Sequence, residues 1–218
     1  MARHTKQQAA ATRSHILDTA ELLFQQRGVS RTSLNEIAVA AGVSRGAIYW
    51  HFEDKADLFN AMMARATLPM EEALNESDDP RRLDPIGHMR RSFGEVLRKT
   101  VSDAQVRRVF EIATHKVEYV GELEAVRARH LSVRNECLAH VTRGIRLATR
   151  RGQLNGRIPA GAAALGLHAL IDGLIQNWML DPAAFDLVKA GERILDTYLA
   201  GLMRIESAPN HVLKRART

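Results

Sequence analysis

Apolar residues recur along this chain at three- and four-residue intervals almost from end to end. That spacing marks helices that bury one face. No stretch shows the two-residue alternation of a half-buried strand, and no Asn-Gly pair joins two apolar runs. The pattern predicts an all-α chain of about nine helices. Helix one is expected over 7–27, with Ile16, Leu17, Ala20, Leu23 and Phe24 on one face and Gly28 ending it. Leu34, Ile37, Ala38 and Ala41 predict a short second helix, cut by Gly42. A third is expected over 45–52 and a fourth over 55–75, where Pro69 predicts a kink or an early end. An acidic loop follows at 76–80. Asp84-Pro85 starts helix five, as cap and first-turn proline. Helix six is expected over 104–119 and helix seven over 122–151, with Val126, His130, Val133, Cys137, Val141, Ile145 and Ala148 in register. Helix eight spans 160–180, stopped by Asp181-Pro182, and helix nine spans 184–205.

Helices two and three form the most informative segment. Two short helices joined by a Gly-containing turn make a helix-turn-helix, whose second helix enters a DNA major groove. Ser33 and Glu36 have capping-box spacing. Gly42 suits a left-handed helix end, and Ser44 and Asp54 suit N-caps. Helix three has Ile48 and Phe52 at i, i+4 to face inward. That leaves Arg45, Ala47, Tyr49, Trp50 and His51 partly outward, an unusual set for a helix with only a structural role.

Those residues carry a resemblance. The turn at Gly42–Ser44, the Arg-Gly-Ala-Ile-Tyr-Trp-His-Phe run of 45–52, Lys55 downstream and the helix-one sequence before them resemble the TetR family of transcriptional repressors. The likeness is greatest to the subgroup that represses multidrug efflux pumps, and its specific part covers about the first 60 residues. The resemblance implies a three-helix DNA-binding domain over residues 1–60 and a helical ligand-binding and dimerisation domain over 61–218, joined within helix four.

On this reading Arg45 reaches a guanine edge with two N–H groups. Tyr49 offers its ring to a thymine methyl and its hydroxyl to phosphate. Trp50, His51 and Lys55 contact the DNA backbone, which positions without reading sequence. Thr32 and Ser33 bond phosphate at the start of helix two. Ser44, Gly46 and Ala47 complete the expected contact surface. Short readers come in pairs on a two-fold operator, so a homodimer is expected, built from helices eight and nine.

In the second half Asp172 interrupts an apolar stripe made by Leu167, His168, Ile171, Ile175 and Met179. A carboxylate there is costly unless it is paired or solvated. An internal ion pair, exposure at the helix edge, and a polar group inside a ligand cavity all fit. The resemblance favours the cavity, because such repressors hold small hydrophobic or aromatic effectors between C-terminal helices. The other candidates for its wall are Met89, Phe93, Val96, Phe110, Thr114, Cys137, Val141, His168, Ile175 and Gln176. A regulator of catabolic or lipid genes that answers to one metabolite is the alternative within the family. An all-helical enzyme using Asp172 or His168 is the alternative outside it.

Composition narrows the field further. The 218 residues carry a formal net charge of +6. The calculated isoelectric point is about 9.9, which suits a polyanionic partner. The charge is not concentrated in the reader: the cations of residues 1–60 are nearly balanced by Asp18, Glu21, Glu36, Glu53, Asp54 and Asp57. The tail cations Lys214, Arg215 and Arg217 read as a solvated terminus. A single cysteine, Cys137, excludes an intrachain disulfide and agrees with a reducing compartment. No apolar run approaches a membrane span, so a cytoplasmic protein is expected. Glu111, His115 and Glu118 share a helix face, but no second cluster completes a metal site. No phosphate loop, nucleophile elbow or H-E-x-x-H is present, and neither metal nor cofactor is expected.

Overall fold

The computed structural model describes residues 2–75 and 83–203, with side chains over 6–67 and 83–203. The described residues form nine α-helices: α1 (Ala2–Arg27), α2 (Leu34–Ala40), α3 (Arg45–His51), α4 (Lys55–Asn75), α5 (Pro85–Ser102), α6 (Ala104–His115), α7 (Glu124–Arg150), α8 (Ala160–Leu180) and α9 (Leu187–Leu202). A 3-10 turn, Gly121–Leu123, precedes α7. The only extended pairing among the described residues is an isolated bridge between Leu154 and Met203. No described helix is long and apolar enough to cross a membrane.

Several boundaries follow from local chemistry. Asp54 accepts from Asp57 N–H at 2.7 Å and Asp57 accepts from Glu53 N–H at 3.1 Å, which caps α4 reciprocally. Asp84 accepts from Gly87 N–H at 2.8 Å with Pro85 at the start of α5. Asp103 ends α5 and caps α6 at once.

Others differ from the expected ones. α1 begins at Ala2, before the expected residue 7. α4 stays helical past Pro69 to Asn75. α6 stops at His115 rather than 119, and the Lys116 carbonyl accepts from Val29 N–H at 2.9 Å, a bond to the N-terminal helices. α7 begins at Glu124, because Gly121 at φ +58° breaks the helical path. α9 begins at Leu187, where Asp186 accepts from Lys189 N–H at 2.9 Å. The expected acidic loop at 76–80, the end of helix nine at 205 and the cations Lys214, Arg215 and Arg217 lie outside the described residues.

Two apolar cores organise the helices. The first joins Ile16, Phe24, Ile37, Ile48, Phe52 and Phe59 of the first four helices to Val106, Val109 and Ile112 of α6 and to Leu123 and Val126. The second joins α5, the C-terminal half of α7, α8 and α9, through residues such as Met89, Leu97, Ile145, Leu167, Trp178 and Leu195. Val96 and Phe110 are half-buried against both.

Candidate nucleic-acid interface and effector region

The reader is assembled by caps. Ser33 Oγ accepts from Glu36 N–H at 3.2 Å, and Glu36 accepts from Ser33 N–H at 2.8 Å and from its hydroxyl at 2.7 Å. The Ser33 N–H, then its hydroxyl, hold the Glu36 carboxyl below its ordinary pKa against a small opposing cost of burial, and Arg27 and Lys55 add to the lowering. At the other end of α2 the chain turns on Gly42, at φ +65°. Gly42 N–H donates to Val39 O at 3.1 Å and Val43 N–H to Ala38 O at 3.0 Å, which closes the helix end. His15 of α1 donates through Nε2 to the Ala41 carbonyl at 3.1 Å and pins this turn. Ser44 Oγ then accepts from Ala47 N–H at 3.1 Å and starts α3.

α3 has the two faces its sequence requires. Ile48 and Phe52 are buried in the first core. Tyr49 is 47% and Trp50 73% exposed, and Ser44, Arg45 and Gly46 are exposed or partly exposed beside them. Ala47 and His51 lie nearer the buried side. The Arg45 guanidinium lies 5.7 Å from the Tyr49 ring centroid, a preorganising contact on the outer face. Trp50 and His51 meet edge to face at 4.6 Å. Arg13 of α1 sits 4.9 Å above the Phe52 ring. Burial first, and the Arg13 charge second, hold the His51 imidazole below its ordinary pKa. Arg45, Tyr49, Trp50 and Ser44 therefore share an accessible surface on a helix whose other side is fixed.

Three expected contacts are otherwise engaged. Thr32 is 1% exposed and donates its hydroxyl to Gly28 O at 2.9 Å, so it offers nothing to phosphate in this arrangement. Lys55 is 6% exposed, and its Nζ lies 2.6 Å from Glu122 Oε1. Ser33 is exposed, but its hydroxyl is committed to the capping box.

The expected effector residues divide. Met89, Phe93, Val141 and Ile175 are buried together in the second core, with Cys137, Val96 and Phe110 half-buried against it. Thr114 is exposed; its hydroxyl donates to Phe110 O at 2.7 Å and lies 3.9 Å from Met179 Sδ. His168 is half-buried, and burial lowers its pKa while the nearby Asp172 opposes that shift. Asp172 departs from the cavity expectation. It is exposed on α8 and accepts from Gln176 Nε2 at 2.6 Å, one turn along its own helix. Solvent and that amide satisfy the carboxylate without a buried partner. Glu111 accepts from Gln25 Nε2 at 2.8 Å and His115 Nδ1 lies 3.2 Å from the Thr114 hydroxyl. The described residues contain no cluster of ligands suited to a metal ion.

The comparisons with known proteins match both halves of the chain. The family described as bacterial regulatory proteins, tetR family, matches residues 16–62, and the C-terminal region of MAATS-type transcriptional repressors matches residues 84–204. The chain belongs to the TetR family. It is a transcriptional regulator and not an enzyme. Among TetR-family relatives, the HTH-type transcriptional regulator TtgR of Pseudomonas putida is 39% identical over 95% of this chain and 99% of its own. The crystal structure of NalD, the secondary repressor of the MexAB-OprM multidrug efflux pump in Pseudomonas aeruginosa, superposes with a TM-score of 0.82 at 35% identity, covering 91% of this chain and 98% of that one. The SmeT–triclosan complex superposes with a TM-score of 0.83 at 29% identity, covering 95% and 100%. SmeT is the repressor of the Stenotrophomonas maltophilia multidrug efflux pump SmeDEF.

One feature of this TetR-family chain escaped the sequence reading. Glu21 of α1 is 1% exposed. It accepts from Arg65 of α4, from Gln105 Nε2 of α6 at 3.0 Å and from Arg108 of α6 at 3.5 Å. Arg65 also pairs with Asp18 at 2.8 Å. The signal was present: Glu21 is four residues after Leu17 and three before Phe24, on the apolar face of helix one.

Proposed function

We propose that this TetR-family regulator represses a multidrug efflux operon by binding a pseudo-palindromic operator as a homodimer, and releases it when a small hydrophobic or aromatic effector binds. Residues 1–60 read DNA, and residues 61–218 take up the effector and dimerise. The observation that carries the reading is the surface of α3. Arg45, Tyr49 and Trp50 face outward from a short helix whose inner side and both ends are fixed. Arg45 supplies the bidentate base contact, and Ser44, Gly46, Ala47, Trp50 and His51 follow the groove wall. The efflux assignment rests on likeness to NalD and SmeT, and the effector class on the triclosan bound to SmeT. The exposed apolar side chains Leu165, Leu180 and Ile194 on α8 and α9 support a subunit interface there. The buried group Met89, Phe93, Val141 and Ile175, with His168 and Gln176 near the edge of α8, supports an effector site between helices. With no spanning helix among the described residues, we place the protein in the cytoplasm.

The test is a gel shift on DNA from upstream of the gene, in excess mixed-sequence competitor, with triclosan titrated in. A selective complex that triclosan dissolves is expected. A protein that binds every duplex alike overturns the operator reading, and an operator complex indifferent to triclosan and to a panel of aromatic drugs overturns the effector reading.

A further inference from the structure

We propose that Glu122 is a displaceable counter-ion for Lys55, so that the carboxylate of the α6–α7 turn and a DNA phosphate compete for the same ammonium. The inference rests on the DNA-binding reading above and concerns how strongly the reader grips the duplex backbone.

The placement of Lys55 is costly unless it has a use. It is the first residue of α4, where the helix dipole disfavours a cation. Its side chain is 7% exposed, and among the described residues its ammonium has one ion-pair partner, Glu122, whose own side chain is 64% exposed. A buried ammonium is costly without an anion. A mostly solvated carboxylate gives up little when it lets go. The pair is therefore asymmetric: Lys55 needs an anion, and Glu122 does not need Lys55.

The geometry puts a second anion within reach. Lys55 follows the outward-facing end of α3 by four residues. Its charge is also felt by Glu36 in the first turn of α2, after the larger effects of Ser33 and Arg27 there. The ammonium thus belongs to the helix start that directly follows the reading helix. A phosphate at that edge offers the same kind of partner as Glu122. The turn that carries Glu122 is itself held to the reader, because Val29 N–H donates to Lys116 O at 2.9 Å and Leu123 is buried in the first core. Exchange then needs only rotation of the Glu122 and Lys55 side chains, with the backbone in place.

The consequence is a built-in brake on non-specific binding. While Glu122 holds Lys55, the reader presents one cation fewer to any duplex. Each phosphate contact made by a lysine adds about 0.9 to the salt slope of binding.

The test uses the full chain, a labelled mixed-sequence duplex and fluorescence anisotropy over about 50–300 mM salt. Glu122→Gln is expected to bind about five-fold tighter at low salt and to steepen the salt slope by up to about 0.9. Lys55→Met keeps the buried stem and removes the charge; in its background Glu122→Gln is expected to change nothing. Glu124→Gln, which deletes the same charge two residues away, is expected to leave the slope at its wild-type value. An unchanged slope in Glu122→Gln overturns the proposal, as does a gain that persists beside Lys55→Met. A fall in unfolding midpoint for both variants with no change in slope makes the pair a structural strut and also overturns it. A wild type that binds the mixed duplex yet selects no sequence counts against the operator reading alone.

Discussion

Replacing Glu21 by Ala should destabilise the whole N-terminal half rather than trim one contact. Three side chains from two other helices converge on this carboxylate: Arg65, Gln105 and Arg108. Breaking a wholly buried ion pair costs about 3–5 kcal/mol, because the partner charge is left without compensation. Two features of the structure lower that figure here. The side chains of Arg65 and Arg108 are 24% and 28% exposed, so water solvates part of each guanidinium. Arg65 also keeps Asp18 at 2.8 Å. The small void left by the lost methylene and carboxylate works the other way. The net expectation is about 2–3 kcal/mol. Glu21→Gln, which keeps the volume and one acceptor, should cost about half as much. The assay is urea unfolding at neutral pH, followed by circular dichroism, with the slope in urea required to stay constant. Because the carboxylate is out of solvent, the loss should persist in high salt. A Glu21→Ala variant within about 0.5 kcal/mol of wild type, or a loss that vanishes in salt, refutes the reasoning.

Other substitutions probe the reader. Arg45→Ala should weaken operator binding by about 1–3 kcal/mol and relax one base position, measured by gel shift on single-base operator variants, with thermal stability unchanged. Ser44→Ala removes the cap of α3 and should lower stability by about 1 kcal/mol in chemical denaturation. His51 has its pKa lowered in the free protein, first by burial and then by Arg13, which favours the neutral ring. A phosphate beside it would raise that pKa, so binding takes up a proton and operator affinity should rise as pH falls from above the bound-state pKa to below the free one. His51→Gln should flatten that dependence in anisotropy titrations, and an equally steep profile in the variant would show that another group is responsible.

Local signals reached far into this chain. The capping box at Ser33 and Glu36, the turn on Gly42, the Ser44 cap and the division of α3 into inner Ile48 and Phe52 and outer Tyr49 and Trp50 all depend on neighbours within a few residues, and the sequence displays those directly. What it hid depends on partners far along the chain. Lys55 reads as a free cation until Glu122 is brought beside it. The end of α6 is set by a bond from Lys116 O to Val29, which no helical periodicity records. Thr32 and Asp172 are engaged for the opposite reason. Each satisfies its polar group four residues away, at Gly28 and Gln176, a local solution that competes silently with any external ligand.

The first core carries a lesson for anyone grafting this reader onto another sensor. Ile16, Phe24 and Phe59 do not close on themselves; Val109, Ile112 and Leu123 complete their enclosure. A fragment cut after α3 or early in α4 would bare that apolar surface to water and strip Glu21 of its counter-charges at the same time. A transplant that keeps its specificity should therefore move the packing surface of α6 with the reading head.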